Sequence, residues 1–176
     1  FTIYDAADSK SLVKSIIKEM ELDDKTYKAG TVLSTISNAK NQLVTAEQYV
    51  SNRANAQIDA RHNMSMLEQI FMRYSSRCKQ SDAMDFDDIL LYTYLLFENH
   101  PDVLEKWEQR FRYVLVDEYQ DTNYAQHRIV WQLTRQHQHV CVVGDDAQSI
   151  YSFRGANIDN ILTFQKIYGG ARLFKL

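Results

Sequence analysis

Two short apolar runs, each stopping in an acidic turn, constrain this chain more than any other feature. The first is Val114-Leu115-Val116, which stops at Asp117-Glu118; the second ends at Val142-Val143 and passes into Gly144-Asp145-Asp146. Between them Asp121-Thr122-Asn123 offers several N-cap candidates, and Ile129, Val130 and Leu133 recur at helical spacing. Strand, helix and strand within this length predict a right-handed βαβ unit with parallel strands. Parallel strands finish on the same edge, so the two polar loops should meet there and form a site. An Asp-Glu pair standing alone reads as a solvated strand end beside a helix cap. The second loop on the same edge favours metal and water chemistry instead. Cys141 falls within the second run and is expected in a buried strand.

The rest of the chain reads mainly as helix. Leu12, Val13, Ile16, Ile17 and Met20 mark one helix face, and Val32, Leu33, Ile36, Leu43 and Val44 suggest another. The polar stretch 52–80 carries Ile58, Leu67, Ile70, Phe71 and Tyr74. Asp85 can cap a helix whose inner face is Ile89, Leu90, Thr93, Leu96 and Phe97. Pro101 suits the first turn of a helix with Val103, Leu104 and Trp107 inward. A last helix is expected over 157–168, stopped by Gly169-Gly170, with a further strand starting in 172–176.

Asp117-Glu118-Tyr119-Gln120-Asp121-Thr122-Asn123 resembles motif II of the UvrD/Rep/PcrA family of superfamily 1 DNA helicases. Val143 to Ala156 resembles motif III of that family, and Met84-Asp85-Phe86-Asp87-Asp88 a segment the family carries before motif II. Phe1-Thr2-Ile3-Tyr4-Asp5 and Thr35 to Asn41 are similar to its accessory helical subdomain. The resemblance covers essentially the whole chain. It implies an α/β fold, with a helical accessory subdomain over residues 1–82. Part of a RecA-like P-loop NTPase parallel sheet with flanking helices follows over 83–176. It also implies ATP and Mg2+ as cofactors, hydrolysis between two motor domains, and 3′ to 5′ translocation on single-stranded DNA. Implied partners are single-stranded DNA, single-strand/duplex junctions and the remaining helicase domains, in the cytoplasm.

The resemblance also distributes roles. Asp117 would hold magnesium, and Glu118 would take a proton from the attacking water or orient it. Gln148 would sense the γ-phosphate. Tyr151 and Phe153 lie two apart and face one way in extended backbone, which suits base stacking as well as core packing. A common family pattern has Trp where this chain has Phe153, and the smaller ring should stack less well. Arg154 fits either a DNA phosphate or a neighbouring carboxylate. Gln120 could lie near the nucleotide or hold the loop, and Asp121 reads best as the cap of the next helix.

No phosphate-cradling G-x-x-x-x-G-K-[ST] occurs, since none of the five glycines, at 30, 144, 155, 169 and 170, precedes a lysine. In the family that loop lies upstream, so the chain is expected to be an internal piece of a larger helicase and inactive alone. The contrasting reading is a binding or regulatory module. A net charge of −3 argues against a generally basic nucleic-acid coat but leaves room for a local groove. No apolar run is long enough for a membrane span. Cys78 and Cys141 are far apart in sequence and read as reduced thiols. His137 and His139 lack a third ligand, Asp85, Asp87 and Asp88 read as cap and surface charges, and Lys10, Lys14 and Lys18 read as a solvated face.

Overall fold

The computed structural model describes residues 1–145, 164–172 and 174, which divide into two compact units, Phe1–Leu91 and Tyr92–Leu176. In the first unit, helix α1 (Ala6–Glu19) starts at a capping box. Asp5 Oδ1 accepts the N–H groups of Ala7 and Asp8 at 2.7 and 2.8 Å, and Asp8 reaches back to the Asp5 N–H at 3.2 Å. Val13, Ile16 and Ile17, spaced three and four apart, form its buried stripe. Helix α2 (Ala29–Asn41) adds Val32 and Ile36. Helices α3 (Ala46–Ser51) and α4 (Arg53–Arg61) are short, and their polar link is internal: Tyr49 donates to both Asp59 carboxylate oxygens at 3.1 Å. Helix α5 (Leu67–Gln80) buries Leu67, Ile70, Phe71, Tyr74 and Cys78 against the same core. Ile58 is exposed, and Lys10, Lys14 and Lys18 are solvated as expected.

Strand β1 (Thr2–Tyr4) pairs in parallel with β2 (Ala83–Asp85), Thr2 opposite Ala83. Thr2–Tyr4 and Ala83–Asp85 lack the continuous apolar run that marks the other two strands, which is why the sequence did not announce them. Strand β2 runs directly into helix α6 (Phe86–Asn99), whose first turn Asp85 caps by accepting the Asp88 N–H at 2.7 Å. The cap is as expected, but the reading of these acids as surface charges is corrected. Asp85 and Asp88 are buried, and each places an oxygen 2.7 Å from Nζ of buried Lys40. Tyr74 donates to Asp85 at 2.7 Å, while Ser37 and Asn41 of α2 donate to Asp87 at 2.6 and 3.1 Å. Burial disfavours the Lys40 charge, but Asp85 and Asp88 outweigh it and hold the ammonium above the ordinary lysine range. Burial likewise opposes the Asp85 charge, and Lys40 and Tyr74 overcome it, keeping that carboxyl below its usual range. Asp88 is pushed up, by burial first, with Lys40 opposing. This pairing keeps the residues just after position 82 with the first unit, which extends to Leu91.

In the second unit, Phe97 is buried but Leu96 is exposed, so the inner face of α6 is rotated from the expected one. Helix α7 (Pro101–Arg110) opens on Pro101 and buries Leu104 together with Glu108, whose carboxyl burial pushes up. Strand β3 (Val114–Val116), helix α8 (Tyr124–Thr134) and strand β4 (Val140–Val142) form the expected parallel unit, with Val114, Leu115 and Val116 opposite Val140, Cys141 and Val142. Val116, Val140 and Val142 pack against Tyr119, Phe164 and Tyr168. The alternate side chains, Leu115 and Cys141, point to solvent, which corrects the buried placement expected for Cys141. Helix α8 is capped by Asn123, not Asp121: Asn123 Oδ1 accepts the Gln126 N–H and Gln126 accepts the Asn123 N–H, both at 2.9 Å. Asn123→Ala should therefore cost about 1 kcal/mol, read as a lower denaturation midpoint by circular dichroism; an unchanged midpoint would contradict the cap. Of the helix expected over 157–168, Phe164–Ile167 is helical, and 157–163 lie outside the described residues. Neither Arg172 nor Phe174 is in a strand, and the other positions from 173 to 176 lie outside the described residues.

Candidate active site at the carboxyl edge of β3 and β4

The chain leaves β3 through Asp117, whose Oδ1 accepts the Glu118 N–H at 2.9 Å. Glu118 adopts the left-handed region at φ 50 and ψ 41. That conformation costs a non-glycine residue roughly 1–2 kcal/mol, and it bends the backbone sharply enough to end the strand. The Tyr119 N–H then returns to the Val143 carbonyl at 2.9 Å, while the Val143 N–H donates to Val116 at 2.8 Å. A single 3-10 turn, Tyr119–Asp121, closes with Asp121 N–H on the Glu118 carbonyl at 2.8 Å. The bend sends Tyr119 into the core and leaves Asp117 and Glu118 exposed on the edge. Asp121 is exposed within that turn.

Below the acids, the Tyr119 hydroxyl and His127 Nδ1 are 2.6 Å apart, and the Tyr119 ring meets Phe164 edge-on at 5.7 Å. Burial pushes the phenol well up, and burial, with Arg128 beside it, pushes the imidazole down. The floor of the site thus holds a buried contact between phenol and imidazole. Gln120 is 2% exposed and bridges the two loops. Its Nε2 donates to Glu118 Oε2 at 2.6 Å, and its Oε1 accepts the Asp145 N–H at 3.0 Å. Sequence reasoning left Gln120 open between a nucleotide neighbour and a loop brace. A glutamine two residues beyond an acid carries no signal that distinguishes them; the return of Tyr119 to β4 is what brings Gln120 beneath Asp145.

Of the residues singled out from the sequence, Asp117 and Glu118 stand together on this edge. Gln148, Tyr151, Phe153 and Arg154 lie outside the described residues. Among the described residues neither Asp117 nor Glu118 is in a salt bridge, and no three His, Cys, Asp or Glu side chains converge to cage a metal. One exposed carboxylate fits a magnesium ion, which keeps its waters and relies on phosphate oxygens more than on an all-protein cage. His137 and His139 form no such group either: the His139 N–H donates to His137 Nδ1 at 3.0 Å, and the His139 ring stacks on Tyr113 at 5.0 Å.

Parallel strands with a crossover helix and paired acids at their carboxyl ends define an α/β protein whose site lies beyond its strand ends. The particular family is plain: the chain belongs to the UvrD/REP helicase N-terminal domain family, whose model matches residues 1–169. It is 42% identical over 176 residues to the ATP-dependent DNA helicase PcrA of Bacillus subtilis (strain 168), a match covering 100% of this chain and 23% of that protein. The PcrA of Leuconostoc citreum is 40% identical over 176 residues, again 100% of this chain and 23% of the relative. The PcrA of Staphylococcus aureus (strain Mu50 / ATCC 700699) is 41% identical over 169 residues, 96% of this chain and 22% of the relative. The chain thus spans under a quarter of the length of these relatives. No helix among its described residues is long and apolar enough to cross a membrane.

Proposed function

We propose that this chain is part of an ATP-dependent DNA helicase and carries its hydrolytic acids. The observation behind this reading is the pair Asp117 and Glu118, exposed at the shared edge of β3 and β4 and, among the described residues, in no salt bridge. Membership of the family and the names of the relatives support the same assignment. Asp117 would hold magnesium, largely through water. Bound magnesium neutralises charge on the β- and γ-phosphate oxygens. Glu118 orients the attacking water and accepts its proton, and the left-handed bend keeps its carboxylate outside the core. Gln148 senses the γ-phosphate, Tyr151 and Phe153 stack on unpaired bases, and Arg154 contacts the DNA backbone. Residues 1–82 serve as the accessory helical subdomain and 83–176 as part of the first motor domain. The whole protein acts in the cytoplasm, moving 3′ to 5′ on single-stranded DNA and opening junctions with its other domains.

Two measurements test this reading. The purified 176-residue chain should show no DNA-stimulated ATP hydrolysis, because it has no glycine-lysine phosphate cradle. Turnover by that chain, free of contaminating enzyme, would overturn the assignment of catalytic parts. In the helicase carrying the chain, Asp117→Ala should weaken nucleotide binding in magnesium much more than in EDTA. Equal effects in both would remove Asp117 from the metal site.

A further inference from the structure

We propose that Gln120 is a positioning residue, whose side-chain amide fixes the Glu118 carboxylate and ties it to the backbone of the second loop at Asp145. The inference rests on the proposed role of Glu118. The amide orientation follows from its partners. The Asp145 N–H can only donate, so it must meet Gln120 Oε1 at 3.0 Å, which turns Nε2 to the Glu118 oxygen at 2.6 Å. Among the described residues no other side chain donates to the Glu118 carboxylate. Glu118 is exposed, so without this bond its side chain would sample several rotamers, and a base must sit within hydrogen-bond reach of its water. Gln120 itself is 2% exposed, so its amide cannot follow Glu118 into solvent. Holding both ends makes it a rigid link. Movement of the second loop at Asp145 shifts the amide, and the amide shifts the carboxylate.

Two substitutions in the helicase carrying this chain separate this role from packing. Gln120→Ala removes both bonds. Gln120→Glu keeps an acceptor for the Asp145 N–H but sets a carboxylate against Glu118. Loss of a charge-assisted hydrogen bond should lower kcat about 10–100-fold in Gln120→Ala. The KM for ATP should stay within about 3-fold, as expected when ground-state binding is untouched. Gln120→Glu should fall at least as far as Gln120→Ala. In a Glu118→Gln background, Gln120→Ala should add no further loss to the single-turnover rate, because the two residues act as a unit. A normal kcat in Gln120→Ala, a near-normal Gln120→Glu, or additive losses would overturn the inference. So would losses that accompany lower melting temperature and weaker single-stranded DNA binding in both variants, which would assign Gln120 to packing. Glu118→Gln distinguishes the two levels. Normal turnover there sinks the reading of Glu118 as base, whereas normal turnover in Gln120→Ala beside an inactive Glu118→Gln sinks only the positioning role.

Discussion

In the proposed helicase, Glu118→Gln should bind magnesium-nucleotide with near-normal affinity and lose about 10²–10⁴-fold in turnover, the usual worth of a positioned general base. The substitution conserves size, so the left-handed bend and the placement of Asp117 should survive it. An amide has no basic oxygen able to take the proton of water. An amide oxygen still accepts from Gln120 Nε2, so the brace to Asp145 need not fall apart. Binding and chemistry should therefore separate cleanly: an unchanged nucleotide dissociation constant by fluorescence titration, and a single-turnover rate near background. Hydrolysis at the normal rate would show that the base lies elsewhere.

Lys40→Met should destabilise the first unit by about 3–5 kcal/mol, because it leaves Asp85 and Asp88 buried with no cation. Methionine fills much of the same space, so the loss is electrostatic rather than a cavity. The pH dependence checks the cause. Without Lys40 both carboxyls should have folded-state pKa values above their unfolded ones, so their favourable contribution exists at low pH and is lost as pH rises through the folded values. The deficit of the variant against wild type should thus be large at pH 7 and shrink toward pH 4, about where ordinary aspartates protonate. A deficit independent of pH would point to packing instead. Adding Asp85→Asn and Asp88→Asn to Lys40→Met should recover part of the loss, since neutral amides are cheaper to bury than unpaired carboxylates.

The strand edge that carries Asp117 and Glu118 was legible because strands and turns leave strong local marks. The apolar runs before Asp117 and Gly144, with a helix between, sufficed to place two parallel strands and a shared edge. The first helices were equally clear, since Val13, Ile16 and Ile17 are a helical stripe that nothing else explains. The failures come from pairing, packing and turn geometry that the local sequence does not report. Asp85 and Asp88 look like cap and surface acids until Lys40, remote in sequence, is folded against them. The side of β4 that carries Cys141 was expected inside because the run is uniformly apolar, yet only alternate residues meet the Tyr119 cluster. Asp121 lost the cap to Asn123 because the 3-10 turn consumes two residues more before α8 begins. Nothing local to residues 117–121 reports that turn.

The two thiols of this chain differ sharply in reach. Cys141 is exposed on β4, in the strand that leads to the second loop, whereas Cys78 is buried in the helical core with its thiol pushed up to about 11 by that burial. Reaction with a maleimide follows thiolate fraction and access, so a dye offered to the folded 176-residue chain would settle on one side chain without any engineering. The natural sequence therefore carries its own attachment point for an optical probe, four residues before Asp145.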